Sequence, residues 1–494
     1  MLFDHLALLE IKSKITHDPQ GALASWNDSL PFCQWRGVTC GRRHRRVTIL
    51  NLQDMGLVGS LSPYLGNMSF LGNITLNNNL LRGRIPPEIG RLHRLQLKNL
   101  REIGLGENDL VGAFPSFLFN LSMLQLLNLP ENQLQGSLPS NFCLSQPHLA
   151  KIELGMNHFN GFLPSSISNC SELEILDVST NDLKGEIAID FGRLQHLRLL
   201  YLCANYFECK DLDDMKIFHS LSNCNNLKNI DLSSNLLRRV LPNSLGNFSS
   251  KLAYLGMHSN YISGSIPSSV GNLLGLTSVS LGQNNFTGII PESIGKLQNL
   301  QERYLDTNHL SGVIPTSLGN LSLVIIVALC QNNWEGTIPS TIGSCKSLIA
   351  LDLDGNKLSG SVPKELFQLS SLSIVLDLSQ NNLPGVLPQE IGNLKLLESL
   401  DFSMNRFIGL HFYARRALND GFVLQIVDPM LLNEDVDEKS LISSVKIGVQ
   451  CSYESPQDRM DIGTVVHELF ASTDSLAHAV ADEVDGILFA LFEE

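Results

Sequence analysis

The chain has 494 residues, 43% hydrophobic and 17% charged, a balance that excludes general disorder. Its net charge of −14 gives no support to nucleic-acid binding. The acidity is uneven: residues 411–494 hold 16 Asp and Glu against 5 Lys and Arg, a net of −11, so a boundary falls near residue 410.

Residues 1–48 read as a cap. HLALLEIKSKI has helical apolar spacing, and DPQGALASWNDS supplies a turn and a second short helix. In FCQWRGVTC, Cys33 and Cys40 are close enough in sequence for a local disulfide, with Trp26 and Trp35 as the cap's core. No secretory leader is visible, because Asp4, His5 and Glu10 interrupt any apolar run at the start. The best apolar run, Leu323–Cys330, is far short of the roughly 20 residues a membrane helix needs. Eight Asn-x-Ser/Thr sequons, at Asn27, Asn67, Asn73, Asn120, Asn169, Asn247, Asn285 and Asn320, nevertheless point to glycosylation in the secretory pathway. Paired cysteines beside them favour an oxidising compartment.

From 49 to 409 one pattern recurs, clearest in LDLDGNKLSGSVP (Leu351–Pro363) and written LxLxxNxLxGxIP. Its Asn falls at Asn79, Asn108, Asn132, Asn157, Asn181, Asn205, Asn235, Asn260, Asn284, Asn308, Asn332, Asn356, Asn381 and Asn405. Neighbours lie 24 or 25 apart, except 29 before Asn108 and 30 before Asn235. A period in that window is the signature of leucine-rich repeats, units that cannot bury their apolar faces alone and therefore stack. The expected fold class is α/β: a right-handed curved solenoid of about 15 repeats, with a parallel sheet on its concave face and a helical cap. Alternation places Leu351 and Leu353 inward and Asp352 and Asp354 outward, and each buried Asn must bond backbone groups of adjoining turns, giving a structural ladder. SGSVP predicts a second short extended segment, after which KELFQLSSL returns along the convex side.

Departures from the pattern carry information. The first repeat has Met55 where Asn is expected. Extra residues fall in RLHRLQLKNLREIGL and around ECKDLDDMKIF, the latter predicting a convex bulge. Cys203, Cys209 and Cys224 cluster there with their pairing open, while Cys170, Cys224 and Cys345 each replace an apolar residue and read as buried thiols. Arg303 stands at an inward Leu position, so either the strand is shifted or the side chain reaches solvent. The DFG at Asp190, Phe191 and Gly192 lies in register with an ordinary repeat and reads as part of it.

ALLEIKSKITHDPQGALASWNDSLPFCQWRGVTC and the following VTILNLQDMGLVGSLSPYLGNMSFLGNITL resemble the amino-terminal cap and first repeats of plant leucine-rich repeat receptor-like kinases. The subfamily resembled is that of pathogen-sensing receptors, which includes the rice bacterial-blight resistance kinase. After Asn405 the pattern stops, and ARRALNDGFVLQIVDPMLLNEDVDEKSLISSVKIGVQCSYESPQDRMDIGTVVHEL resembles the end of the kinase carboxy-terminal lobe of the same family. In that fold the Arg matching Arg459 pairs with an APE motif this chain lacks. The domains are thus expected at 1–48, 49–409, 410–470 for the kinase-lobe remnant, and 471–494 for an unassigned acidic tail.

A Gly-rich loop, strand Lys and catalytic-loop Asp are not found in context, so no catalytic residue, cofactor or metal is expected. No Cys/His spacing fits a zinc site. What remains is binding, for which the outward positions Tyr201, His258, Tyr304, Asp306, Gln331, Asp352 and Asp354 are candidates. The resemblance implies a cell-surface or extracellular receptor-like protein in immune or developmental signalling. Its implied partners are an extracellular peptide, protein or glycan ligand and a leucine-rich repeat co-receptor kinase docking late in the solenoid. Two other readings are a misassembled fragment of an active membrane receptor serine/threonine kinase and a secreted inhibitor of polygalacturonases.

Overall fold

The computed structural model describes residues 2–93, 100–209 and 216–407, in two compact units, Met1–Ile262 and Ser263–Glu494. The predicted kinase-lobe remnant and acidic tail lie outside the described residues, as do parts of both insertions.

In the first unit the cap opens with an α-helix, Leu2–Ser13, that buries Ala7, Leu8 and Ile11. Its Asp4 is fully buried and accepts from Arg46 Nε and Nη2 at 2.8 and 2.7 Å and from Val47 N at 3.0 Å. Trp26 and Trp35 stack at 5.5 Å, and their indole N–H groups donate to Arg36 O and Leu30 O. Cys33 and Cys40 form a disulfide with Cα atoms 5.5 Å apart. The expected second cap helix is replaced by turns. Asp18 holds them by accepting from Ala22 N and Leu23 N, and Gly21 at φ +61° breaks the helical path.

An antiparallel hairpin, Val38–Cys40 with Val47–Asn51, starts the unit's long sheet. From Val47–Asn51 each repeat adds one parallel strand of about three residues, through Asn73–Thr75 and onward to Asn229–Asp231 and Tyr254–Gly256. A second, lateral sheet forms where the sequence predicted an extended segment, running from Val58–Ser60 to Tyr206–Phe207. Its repeated Gly takes positive φ, as at Gly161 (+79°) and Gly185 (+79°). Cys209 and Arg239 occupy that position in two consecutive repeats, without positive φ, and the lateral ladder thins to a single bridge, Glu208 to Leu236.

The second unit repeats the plan. Its long sheet runs Ser278–Ser280, Glu302–Tyr304, Ile326–Ala328, Ala350–Asp352, Val375–Asp377 and Ser399–Asp401, all parallel. Leu351 and Leu353 are fully buried. Asn356 Oδ1 accepts from Trp334 N at 3.1 Å, while Nδ2 donates to the carbonyls of Leu329, Leu353 and Asp354 at 3.1, 3.0 and 3.0 Å. The same set recurs within each unit, at Asn108, Asn235, Asn332 and Asn405 among others.

The helical side implied by an α/β reading is made of 3-10 turns. Among the described residues the α-helices are Leu2–Ser13 and Lys216–Leu221, the latter beside the second insertion. The physical reason is length: the segment Pro315 to Leu321 closes Leu318 N to Pro315 O at 3.1 Å and Leu321 N to Leu318 O at 3.0 Å, too few residues to nucleate an α-helix. Close stacking also fixes Gly319, where an added Cβ would lie 2.4 Å from Thr341 O in the next repeat.

Two cysteine and arginine expectations are corrected. Cys170 is not a thiol; it is bonded to Cys143, 27 residues earlier, both being buried. Cys143 sits in the irregular turn NFCLSQPHL, which the repeat pattern does not place. Closing a loop of that length predicts that Cys143→Ser lowers unfolding free energy by about 3 kcal/mol, measured by denaturant titration. An unchanged midpoint would show the bridge to be absent or idle. Arg303 follows neither path expected for it: its strand keeps register with Val279 and Val327, and its side chain is fully buried. Its Nε, Nη1 and Nη2 have no hydrogen-bond partner, and burial lowers its pKa to about 10, slightly opposed by Cys345.

Candidate ligand-binding face

Because strand residues alternate, the outward positions of successive repeats line up in columns on the solvent face of each long sheet. In the first unit one column reads Asp177, Tyr201, Asp231. Tyr201 is half-buried, and its hydroxyl accepts from Asn229 Nδ2 at 3.1 Å. Two residues on from Tyr201 sits Cys203, a thiol pushed up to about 12 by burial first and then by Asp231 and Asp177. His258 is half-buried with Nδ1 3.1 Å from Ser259 Oγ.

In the second unit the matching column reads Tyr304, Ala328, Asp352, Asp377, Asp401. Beside it run Asp306, Cys330 and Asp354. Asp306 lies over Gly282, where an added Cβ would be 2.4 Å from its Oδ1. Gln331 is exposed and donates through Nε2 to Asp354 Oδ2 at 2.5 Å, and Asp354 Oδ1 accepts from Ser379 Oγ at 2.9 Å. Burial raises the pKa of Asp377 to about 6, reinforced by Asp401 and Asp352 and opposed by bonds from Ser379. Asp352 is also raised, mainly by burial, although a bond from the Cys330 thiol holds it down. That thiol is in turn pushed up, by burial and then Asp352. Burial and the charges of Glu302 and Asp306 raise the Tyr304 phenol. None of these carboxylates takes part in an ion pair among the described residues.

Tyr304, Asp306, Gln331, Asp352 and Asp354 therefore come together on one face, and Tyr201 and His258 sit on the equivalent face of the first unit. Asp377, Asp401, Cys330, Asp177, Asp231 and Cys203 share these faces without having been singled out from the sequence. The signal was available, since LDLSQNN and LDFSMN carry Asp at the same repeat position as Asp352. Asp190 does something different: it caps the 3-10 turn Phe191–Arg193, accepting from Gly192 N at 3.1 Å, with Phe191 fully buried. The DFG is a repeat feature. Among the described residues no group of three or more His, Cys, Asp or Glu is arranged to hold a metal, and no helix is long and apolar enough to cross a membrane.

Most sequons fall off this face. Asn67, Asn120, Asn169, Asn247 and Asn320 each end a 3-10 turn, Asn285 starts a lateral strand, and Asn27 lies in the cap turns. Asn73 alone of the eight sits on a long-sheet strand, where Nδ2 donates to Glu102 Oε2 at 2.5 Å.

Comparison with known proteins agrees with this geometry. Residues 2–41 match the family described as Leucine rich repeat N-terminal domain, and 226–248, 275–297, 347–369 and 374–394 match the Leucine Rich Repeat family. The chain is 51% identical over 94 residues to the LRR receptor-like serine/threonine-protein kinase EFR of Arabidopsis thaliana, covering 19% of this chain and 9% of that protein. It is 43% identical over 95 residues to the receptor kinase-like protein Xa21 of Oryza sativa subsp. japonica, again 19% and 9%. The chain thus spans about a tenth of the length of these curated relatives. Among solved structures, PEPR1 with AtPEP1 superposes with a TM-score of 0.72 at 30% identity, covering 82% of this chain and 56% of that one. The peptide hormone receptor RGFR1 with RGF2 gives 0.57 at 29%, covering 77% and 70%. The described residues form a leucine-rich repeat solenoid with its amino-terminal cap, similar in sequence and fold to the ectodomains of plant receptor-like kinases.

Proposed function

We propose that this chain is a ligand-binding receptor ectodomain of plant immune or developmental signalling, and that an extended peptide lies across the solvent face of the second unit's long sheet. The observation that carries this reading is the column Asp352, Asp377, Asp401 with Tyr304 at its head. Half-buried carboxylates without cationic partners among the described residues offer acceptors to backbone N–H groups and to Lys or Arg side chains, and burial strengthens those contacts. RGFR1, named above, is a plant peptide hormone receptor in complex with RGF2, which supports a peptide over a glycan. Glycans at the sequons other than Asn73 would leave this face open. A co-receptor kinase docking late in the repeats, and kinase inactivity with 410–470 as a lobe remnant, belong to the same proposal. The short share of the curated receptor kinases that the chain spans also suits a fragment of a longer, active receptor kinase.

The test is an immobilised library of extended peptides screened against the full chain. Enrichment of Lys- or Arg-bearing peptides is expected, weakened at least about tenfold by Asp352→Asn with Asp377→Asn, each charge-assisted bond contributing about 1.5–3 kcal/mol. Binding that ignores both substitutions would place the ligand elsewhere.

A further inference from the structure

The cap hairpin carries a charge opposite to the rest of the molecule. Residues 1–48 hold seven Lys and Arg against four Asp and Glu, a net of +3 in a chain of net −14. Four of the seven fall in the turn between Val38–Cys40 and Val47–Asn51, in the sequence Arg42, Arg43, His44, Arg45, Arg46. Only Arg46 is used internally, turned onto Asp4 with its guanidinium 4.8 Å from the Phe70 ring. Arg42, Arg43, His44 and Arg45 are exposed, and Arg42, Arg43 and Arg45 take part in no ion pair among the described residues.

This tip is held rather than loose. Gly41 N donates to Arg46 O at 2.9 Å and Arg45 N to Gly41 O at 3.0 Å, closing the turn, and the Cys33–Cys40 disulfide anchors its first strand. Arg45 adopts φ +47°, and His44 rests 5.8 Å from Phe70. Three free guanidinium groups are thereby confined to Cα atoms at most about 11 Å apart.

We propose that this hairpin is a docking point for a linear acidic polysaccharide, a polyuronate with one carboxylate per sugar. Guanidinium forks match carboxylates in pairs, and several adjacent ones suit a repeating anion better than a single one. A disulfide-bonded cap followed by a sequon-bearing repeat array belongs in an oxidising, extracytoplasmic setting, which disfavours nucleic acid. The tip also lacks an apolar side chain to insert into a bilayer: the exposed large hydrophobics of the cap, Leu2, Phe3, Leu6 and Leu30, lie on the helix and on the turn before Cys33. This site is independent of the long-sheet ligand proposed above.

The test titrates end-labelled polygalacturonate oligomers with the full chain and with Arg42→Gln/Arg43→Gln/Arg45→Gln, whose unchanged melting temperature would show the fold intact. Binding that weakens steeply with salt, and at least about tenfold in the triple variant with a flatter salt dependence, is expected from counterion release. No binding by the wild type, or equal binding by the variant, would overturn the proposal. So would arginine-dependent binding to phosphatidylserine vesicles stronger than to polygalacturonate, which would assign the hairpin to a membrane surface.

Discussion

Arg303→Leu is expected to stabilise the second unit by about 3 kcal/mol at neutral pH, the equivalent of lowering a guanidinium from its ordinary value to about 10. The wild-type side chain is fully buried with three nitrogens unpartnered, so it loses its hydration and gains little back. Leu matches the residue type at this position in other repeats and extends the packing of Val279 and Val327. The pH dependence separates this cause from simple packing. A base whose folded pKa is depressed destabilises fully below that pKa, and the penalty is relieved as pH rises from about 10 towards the ordinary guanidinium value of the unfolded chain. The gap between wild type and Arg303→Leu in denaturant midpoint should therefore be constant through neutral pH and narrow above about pH 10. A variant no more stable than wild type would mean that Arg303 has found partners in solution.

Asn356→Leu should act in the opposite direction, lowering stability by about 1–3 kcal/mol, because it orphans the buried Trp334 N–H and removes one of two donors from the carbonyls of Leu329, Leu353 and Asp354, which keep Asn332 Nδ2, Asn381 Nδ2 and Gln331 N. The Trp334 N–H is buried among apolar neighbours, where an unpaired donor is costly. The effect can be read locally. Of the three tryptophans, Trp26 and Trp35 lie in the cap and Trp334 lies beside the altered rung, so the Trp334 fluorescence transition should move to lower denaturant than that of the cap. Coincident transitions at the wild-type midpoint would show that the amide is dispensable.

These two positions also mark how far the sequence can be read. The leucines and the ladder asparagines were legible because a period of 24 or 25 residues repeats their environment many times over. The 3-10 turns were not, since PTSLGNL has helical apolar spacing and its shortness matters only once the next repeat's Thr341 is seen pressing on Gly319. The bond from Cys143 to Cys170 was hidden for a related reason: its first member lies in a turn outside the pattern, and adjacency across repeats is a property of stacking. On the candidate face, Asp352 and Asp354 were legible as outward residues, whereas their coupling to Cys330 and Asp377 depends on register between strands 25 residues apart. Arg303 was recognised as an anomaly, but sequence could not say that its strand would hold register and keep the charge inside.

The two longer intervals in the ladder carry a consequence for how such a chain changes over generations. Despite them, Asn73 still faces Glu102 and Leu199 still faces Asn229 across the long sheet. In the sequence, the first set of added residues follows the 3-10 turn Pro87–His93 and precedes Glu102–Gly104, and the second follows Tyr206–Phe207 and precedes the helix Lys216–Leu221. Duplication or loss of a whole repeat preserves every pairing rule, while gain or loss of a single residue inside LxLxxN would invert which side chains meet the core. Heritable variation in length is thus channelled into modules and into the stretches between one long-sheet strand and the next, so that solenoids of different reach can arise from the same text by recombination between misaligned copies.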